Sequence, residues 1–404
     1  MVNREQQRHK YCITPATAMA TMRNSWAEVL SCLGKPGEMR AQISQDKARA
    51  VICLQSSVDL SYTASVVTNV DDHSISSLDD YKKYMLGKLT WHYFPKEDLI
   101  RNFNLSANGS DVILFLRIQK TGSTTFAKHI EKDLNVSLWC HCKNNKCGCV
   151  RKWKSNVLFE RTSNEWPCAV HADWTYLHEC AETAMNKRHG RTIKQRHLYM
   201  TMVRDPLRRF VSEWQHVRRG ATWLNVRYTC NGHAATNEEL PRCFTRNWIN
   251  VSLQDFIGCF TNLGINRQTR MLADLRKVGC YNSSASGLTY EERHYRMLAS
   301  AKENIRGMAF FGLTAYQELS QILFEHTFNL NFVTKFEDVP ANKTWSGKAN
   351  LSNANRDEIL HINRFDVMLY QYAKDLFFQR LQMLAERTED TSLRRLIEAR
   401  IDKY

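Results

Sequence analysis

"DVILFLRIQKTGSTTFAKHI", residues 111–130, reads as a strand, a hydroxyl-rich turn and a helix. The segment "VILFLRI" is an almost continuous apolar run, the pattern of a strand buried on both faces. Beyond the turn, Phe126, Ile130 and Leu134 recur at i, i+4 and i+8, which gives a helix one core-facing stripe. A helix N-terminus presents unpaired backbone N–H groups and the positive end of the macrodipole, so a turn entering a helix cradles a phosphate. Gly122 lets the backbone approach closely, Ser123, Thr124 and Thr125 add hydroxyl donors, and Lys120 adds a point charge. The lysine precedes the glycine and no second glycine is present, which departs from the order G-x-x-x-x-G-K-[ST] and weakens a kinase or ATPase reading. The bland alternative is a capped turn in which Thr and Ser satisfy orphan N–H groups. Placement between a buried strand and an amphipathic helix favours the anion site.

A second strand–helix unit follows the same design. In "RHLYMTMVRDPLRRFVSEWQHV", His197 to Val203 reads as a strand, Asp205 as N-cap and Pro206 as the first helical residue, with Phe210, Trp214 and Val217 on the buried face. Arg204 at the strand's end and Ser212 two turns into the helix offer a guanidinium fork and a hydroxyl for a second phosphate; the alternative is an Arg204–Asp205 surface contact and a solvated serine. Two such loops at one sheet edge suggest a ligand with phosphates at both ends. Short apolar runs alternate with helical periods from Tyr93 onward, as in an α/β domain with a mainly parallel sheet flanked by helices. From about Arg356, Ile359, Ile362, Phe365, Met368, Leu369 and Tyr372 fall at helical spacing and read as closing helices.

The organisation expected is therefore an N-terminal region, residues 1–92, a catalytic domain, 93–385, and a charged helical tail, 386–404. The first region carries no motif and ends in a linker-like polar stretch, "TNVDDHSISSLDDYKK". The chain has 404 residues, 43% of them hydrophobic, and a formal net charge of +15; residues 1–92 hold 11 Lys/Arg against 9 Asp/Glu, so the remaining thirteen units of excess lie beyond residue 92. A basic domain suits a polyanionic partner. Ten of the thirteen cysteines run from Cys140 to Cys280, an even set suited to disulfides in an oxidising compartment. Asn104, Asn108, Asn135, Asn250, Asn282, Asn342 and Asn350 each begin an N-x-S/T sequon, which agrees. Against this, "MVNREQQRHKYCITPATAMATM" lacks the apolar core of a signal peptide, and no apolar run reaches the roughly 18 residues of a membrane span. The expectation is that residues 1–92 are a stem or a wrongly assigned start.

Nine stretches together carry a family resemblance: "FLRIQKTGSTTF", "CHCKNNKCGC", "VHADWTYL", "MVRDPLRRFVSEWQHVRRGATW", "NRQTRMLADL", "VGCYN", "MAFFGLT", "FEHTFNL" and "LYQYAKDLF". From about Tyr93 to the C-terminal helices the chain resembles heparan-sulfate 6-O-sulfotransferases. The resemblance implies a P-loop-like sulfotransferase fold, 3′-phosphoadenylyl sulfate as sulfate donor, the glucosamine 6-hydroxyl of heparan sulfate as acceptor, no nucleic-acid partner and no metal. It also implies a Golgi membrane location with a lumenal catalytic domain. In site terms it implies that the loop Arg117, Ile118, Gln119, Lys120, Thr121, Gly122, Ser123, Thr124 and Thr125 grips the 5′-phosphosulfate, that Arg204 and Ser212 hold the 3′-phosphate, and that Lys343 contacts the nucleotide. His171 in "VHADW" is the implied catalytic base, a role that suits an imidazole with an ordinary pKa of about 6.5, and Lys120 offsets charge on the leaving phosphate oxygen. Acceptor contacts fall on Lys154, Arg161, Trp166, His171, His216 and Trp223. Two departures stand out: the family usually has histidine where Arg117 stands and a second glycine where Ser123 stands.

"CHCKNNKCGC" also has the spacing of a four-thiolate zinc site, but its place among sequons and further cysteines favours disulfides. Two rival functions remain at this level: a non-catalytic heparin-binding protein on the same fold, and a cytosolic nucleotide kinase.

Overall fold

A computed structural model describes residues 40–44, 49–53 and 92–401, apart from 106–110, 136–137, 144–145, 152–156, 160–167, 170, 191, 193, 221–225, 227, 244–247 and 337–350. The chain divides into two compact units, Met1–Pro95 and Lys96–Tyr404. In the first, β1 (Arg40–Ser44) and β2 (Arg49–Cys53) pair as an antiparallel hairpin.

The second unit begins with α1 (Lys96–Leu99), β3 (Asp111–Leu116) and α2 (Ser123–Asp133), followed by β4 (Leu138–Lys143), β5 (Lys146–Arg151) and β6 (Val157–Phe159). Next come α3 (Trp174–His189), β7 (Arg196–Val203), α4 (Pro206–Val217), the short ribbon β8 (Thr229–Cys230) and β9 (His233–Ala234), α5 (Leu253–Gly258) and α6 (Arg267–Leu272). The chain closes with α7 (Tyr290–Gly307), β10 (Phe310–Leu313), α8 (Gln317–Phe328), α9 (Asn353–Ile362), α10 (Arg364–Arg387) and α11 (Thr391–Ile401).

One six-stranded sheet organises this unit, in the order β10-β7-β3-β6-β5-β4. β10, β7, β3 and β6 run parallel, and β5 and β4 add an antiparallel margin. The expectation of a mainly parallel sheet flanked by helices is met. The cysteine-rich stretch forms that margin, with Cys140 opposite Cys149 and Cys142 opposite Cys147 in the backbone register.

β3 is buried along nearly its whole length, Val112 and Ile113 completely, because helices cover both faces of a parallel sheet. Its register against β7 is fixed at one end by a fork: Arg196 Nε and Nη2 donate to the two carboxylate oxygens of its strand partner Asp111 at 2.9 and 2.8 Å. Phe126 and Ile130 of α2 face the core as their spacing predicts; Phe126 packs against Phe310 and Phe324 with ring centroids 5.8 Å from each. A fully buried ring of this size contributes about 2–3 kcal/mol, so Phe126 anchors the start of α2 firmly. Leu134, expected as a third helical position, is instead the extended C-cap, still buried.

In the second strand–helix unit, Asp205 caps α4 by accepting from the Arg208 N–H at 2.8 Å, and Pro206 opens the helix. Phe210 and Val217 join a buried cluster with Val211, Val251, Phe256, Ile257 and Ile359; Trp214 packs against it half-buried, with its indole N–H donating to the Val251 carbonyl at 3.1 Å. α10 is buried nearly all round, as befits a helix through the centre of the unit. It runs to Arg387, and α11 packs its buried Leu393 and Ile397 back on the unit. Among the described residues, no helix is long and apolar enough to cross a membrane.

Candidate active site

β3 and β7 are parallel neighbours in register, Leu116 beside Thr201, so the loop after β3 and the turn after β7 leave the sheet at the same edge. The loop is built by unusual backbone. Lys120 (φ 66°) and Gly122 (φ 75°) both lie in the left-handed region. For lysine that conformation costs roughly 1–2 kcal/mol, and such strain is stored where the surrounding structure over-determines it. Here Arg204 Nη1 donates to the Lys120 carbonyl at 3.1 Å, Thr121 Oγ1 donates to the Ile118 carbonyl at 3.0 Å, and Thr314 Oγ1 donates to the carbonyls of Thr121 and Val203 at 2.5 and 3.0 Å. Thr314, just past β10, staples the loop to β7. A Cβ on Gly122 would stand 3.0 Å from Thr314 Cγ2, so glycine is favoured by the close approach as well as by its φ.

Ser123 opens α2 with ordinary helical backbone, so the missing second glycine costs no strain there. Its buried hydroxyl donates inward to the Ile118 carbonyl at 3.3 Å, which makes it a builder of the loop rather than an outward donor. Thr124 and Thr125 are exposed. Arg117 Nη2 donates to Thr124 Oγ1 at 2.6 Å, so this departure from the family pattern reaches across the mouth of the loop. Gln119 is buried, and neither atom of its carboxamide has a hydrogen-bond partner among the described residues, a desolvation cost of roughly 1–3 kcal/mol carried inside the loop. α2 has no side-chain cap, and of its first-turn N–H groups that of Thr125 is met by the Gly122 carbonyl at 2.9 Å.

Cations gather on this edge. Burial pulls the Lys120 ammonium below its ordinary range, and the neighbouring Arg204 and Arg219 lower it further. Burial brings the Arg204 guanidinium down to about 10, with Arg208 and Arg209 adding repulsion, and it is still charged at neutral pH. His216 is held below its usual range by burial and by Lys120 and Arg219, so it is neutral there. Ser212 and His216 lie four residues apart on α4 and therefore share a face. The nearby carboxylate, Glu213, is already committed: it accepts from buried Arg209 and Arg267, which outweigh its burial and hold its pKa at about 2. Among the described residues this is a cluster of positive charge beside a carboxylate already paired, an arrangement that attracts anions.

His171 approaches the same loop from the other side. It precedes α3, whose N-cap Asp173 accepts from the Tyr176 N–H at 2.9 Å and from the Tyr281 hydroxyl. The Cys168–Cys180 disulfide ties the segment to α3. His171 Nδ1 lies 2.8 Å from the Arg117 carbonyl, which accepts only, so Nδ1 carries the proton and Nε2 keeps its lone pair. Burial lowers the imidazole to about 4 despite that hydrogen bond, with Arg117 and Arg267 also opposing a positive ring. The result is a neutral base at physiological pH.

The structure thus brings Arg117 to Thr125, His171, Arg204, Ser212 and His216 to one edge of the sheet. Lys154, Arg161, Trp166, Trp223 and Lys343 lie outside the described residues. Thr314, Arg219 and the buried Arg209–Glu213–Arg267 set were missed; only the i, i+4 spacing of Arg209 and Glu213 signals a pair in the sequence. A cavity of about 300 Å³ lies against the Glu213 and Val217 side of α4, lined also by Tyr228, Trp248, Phe256 and Arg267, and no described residue predicted for the site lines it. Its walls combine apolar and aromatic side chains with Arg242, Arg267, Asn237 and Asn262.

Residues 104–373 match the family model described as "Sulfotransferase family", so fold and site define a sulfotransferase. The chain is 45% identical over 298 residues to "Heparan-sulfate 6-O-sulfotransferase 3-B" of Danio rerio, covering 73% of this chain and 70% of that protein. It is 43% identical over 297 residues to "Heparan-sulfate 6-O-sulfotransferase 1" of Homo sapiens (72% and 71%) and 42% identical over 313 residues to "Heparan-sulfate 6-O-sulfotransferase 2" of Gallus gallus (76% and 77%). The chain belongs to the heparan-sulfate 6-O-sulfotransferase family.

Proposed function

We propose that this protein transfers the sulfuryl group of 3′-phosphoadenylyl sulfate to the 6-hydroxyl of glucosamine residues in heparan sulfate, with His171 as general base. The observation that carries this reading is the joining of a neutral histidine to an anion-binding loop through one hydrogen bond, His171 Nδ1 to Arg117 O at 2.8 Å. The residues present fit the donor's chemistry: Lys120, the first turn of α2 and the orphaned Gln119 amide suit a phosphosulfate, and Arg204 with Ser212 suits a second phosphate.

When bound, the donor supplies an electrophilic sulfur with a bisphosphate as leaving group. His171 Nε2 removes the proton from the attacking sugar hydroxyl, and the new O–S bond forms as the S–O bond to the phosphate breaks. Lys120 faces the charge that grows on that phosphate oxygen. Burial makes each of these charges count for more than in water. We read His216, on the same face of α4 as Ser212, as an acceptor contact with Lys154, Arg161, Trp166 and Trp223, and Lys343 as a nucleotide contact, on the strength of the resemblance.

Family membership removes the nucleotide-kinase alternative, and a base poised neutral at the loop supports turnover over mere heparin binding. The disulfides Cys168–Cys180, Cys230–Cys280 and Cys243–Cys259 support an oxidising compartment, here the Golgi lumen. Incubation with labelled donor and N-sulfated heparan, followed by disaccharide mapping, tests the reading; label retained on the donor, with heparan bound but unmodified, contradicts it.

A further inference from the structure

Arg204 sits at an awkward point of the backbone. It follows Val203, the last residue of β7, and precedes Asp205, the cap of α4, so neither its N–H nor its carbonyl belongs to the sheet ladder. Both are met by one side chain 64 residues later. Gln268 Oε1 accepts from the Arg204 N–H at 2.8 Å, and Gln268 Nε2 donates to the Arg204 carbonyl at 2.9 Å. A carboxamide used in this way mimics a neighbouring peptide in a ladder. It fixes the peptide planes on both sides of the Arg204 Cα, and with them the direction in which the guanidinium leaves the backbone toward the Lys120 carbonyl.

Gln268 is itself held from α10. It is 1% exposed, its N–H donates to Asp366 Oδ2 at 3.1 Å, and the next residue, Thr269, donates to Asp366 Oδ1 from its N–H at 2.7 Å and its hydroxyl at 2.9 Å. The Asp366 N–H in turn donates to Asn266 Oδ1 at 3.2 Å. A rigid line therefore runs from α10 through Gln268 to Arg204.

We propose that Gln268 is a positioning residue for the sulfate donor: it acts through Arg204, setting the guanidinium that holds the donor's 3′-phosphate. This rests on the reading of Arg204 as a phosphate ligand. Leucine at 268 matches the size of glutamine but removes both Gln268 hydrogen bonds to Arg204. Glutamate keeps the acceptor for the Arg204 N–H and sets a carboxylate oxygen against the Arg204 carbonyl, breaking half the clamp without changing shape. Loss of two such hydrogen bonds corresponds to about a tenfold weakening of whatever depends on them.

The test measures binding of adenosine 3′,5′-bisphosphate by calorimetry, and KM for donor and for heparan separately, on Gln268→Leu, Gln268→Glu, Arg204→Ala and the Gln268→Leu/Arg204→Ala double variant. The expected result is a rise of about tenfold or more in bisphosphate Kd and donor KM for Gln268→Leu, with the heparan KM unchanged, and a double variant within about twofold of Arg204→Ala alone. Gln268→Glu, which loses one of the two bonds, is expected to raise bisphosphate Kd and donor KM by about threefold, and circular dichroism on each variant separates a lost fold from a lost clamp. If Arg204→Ala weakens binding and neither Gln268 variant does, or if their effects simply multiply, the positioning role is wrong. If Arg204→Ala itself leaves binding unchanged, the assignment of Arg204 to the phosphate fails first and the role of Gln268 falls with it.

Discussion

The imidazole of His171 donates from Nδ1 to the carbonyl oxygen of Arg117 at 2.8 Å, which ties the proposed base to the residue where the proposed anion loop begins. Burial holds the ring's pKa at about 4, well below the ordinary histidine value. Protonation removes the base, and the free enzyme protonates His171 only as pH falls toward that lower value. Between about pH 5 and 8, kcat/KM therefore shows no acid limb from this residue. A pH profile of kcat/KM checks this; a limb centred near the ordinary value of about 6.5 contradicts it.

Lys120→Ala separates catalysis from stability. Removing the cation is expected to lower kcat by about 10²–10³-fold, the cost typical of losing one stabiliser of developing charge. The same change relieves repulsion from Arg204 and Arg219 beside it, so Tm is unchanged or higher. Initial rates at saturating donor and a thermal melt read the two effects. A variant that loses Tm in step with activity contradicts a catalytic role.

Glu213 is the opposite case. Its carboxylate lies buried between Arg209 and Arg267; its removal takes the carboxylate partner from Arg267 and leaves Arg209 only Asp366, 3.7 Å away. Glu213→Ala is expected to cost about 3–5 kcal/mol, measured as a shifted urea midpoint. A loss below about 1 kcal/mol, the level of an exposed pair, contradicts the account of this network.

The Cys230–Cys280 bridge closes a separation of 50 residues, joining β8 to the segment before α7. Paired Cys230→Ser and Cys280→Ser changes are expected to cost about 4 kcal/mol, with the same direction of shift when the parent protein is melted in reductant. An unchanged Tm under reductant contradicts a stabilising role for the described disulfides.

Much of the proposed anion-binding edge was legible because it rests on local chemistry. An apolar run, a glycine turn and an amphipathic helix announced β3 and α2, and the Asp205–Pro206 pair announced α4. Phe126, Ile130, Phe210 and Val217 are buried where their periodicity places them. Residues that act across long separations left no such trace. Thr314 reaches Thr121, Gln268 reaches Arg204 and Asp366 reaches Thr269 only after the sheet and α10 have assembled, and a threonine, a glutamine and an aspartate alone carry no periodicity that reveals a partner. Ser123 and Arg117 show the converse: against the family pattern they looked disruptive, yet a helical φ at 123 and a hydrogen bond from Arg117 to Thr124 absorb both. His171 stood out by resemblance alone until its tie to Arg117 gave it a chemical reason.

The central claim is tested most directly by incubating the protein with labelled 3′-phosphoadenylyl sulfate and N-sulfated heparan, then mapping the disaccharides beside a His171→Ala variant. The account predicts new 6-O-sulfate from the parent protein and about 10²–10⁴-fold less from the variant. Label at the 2-O position, or equal activity in the two proteins, contradicts it.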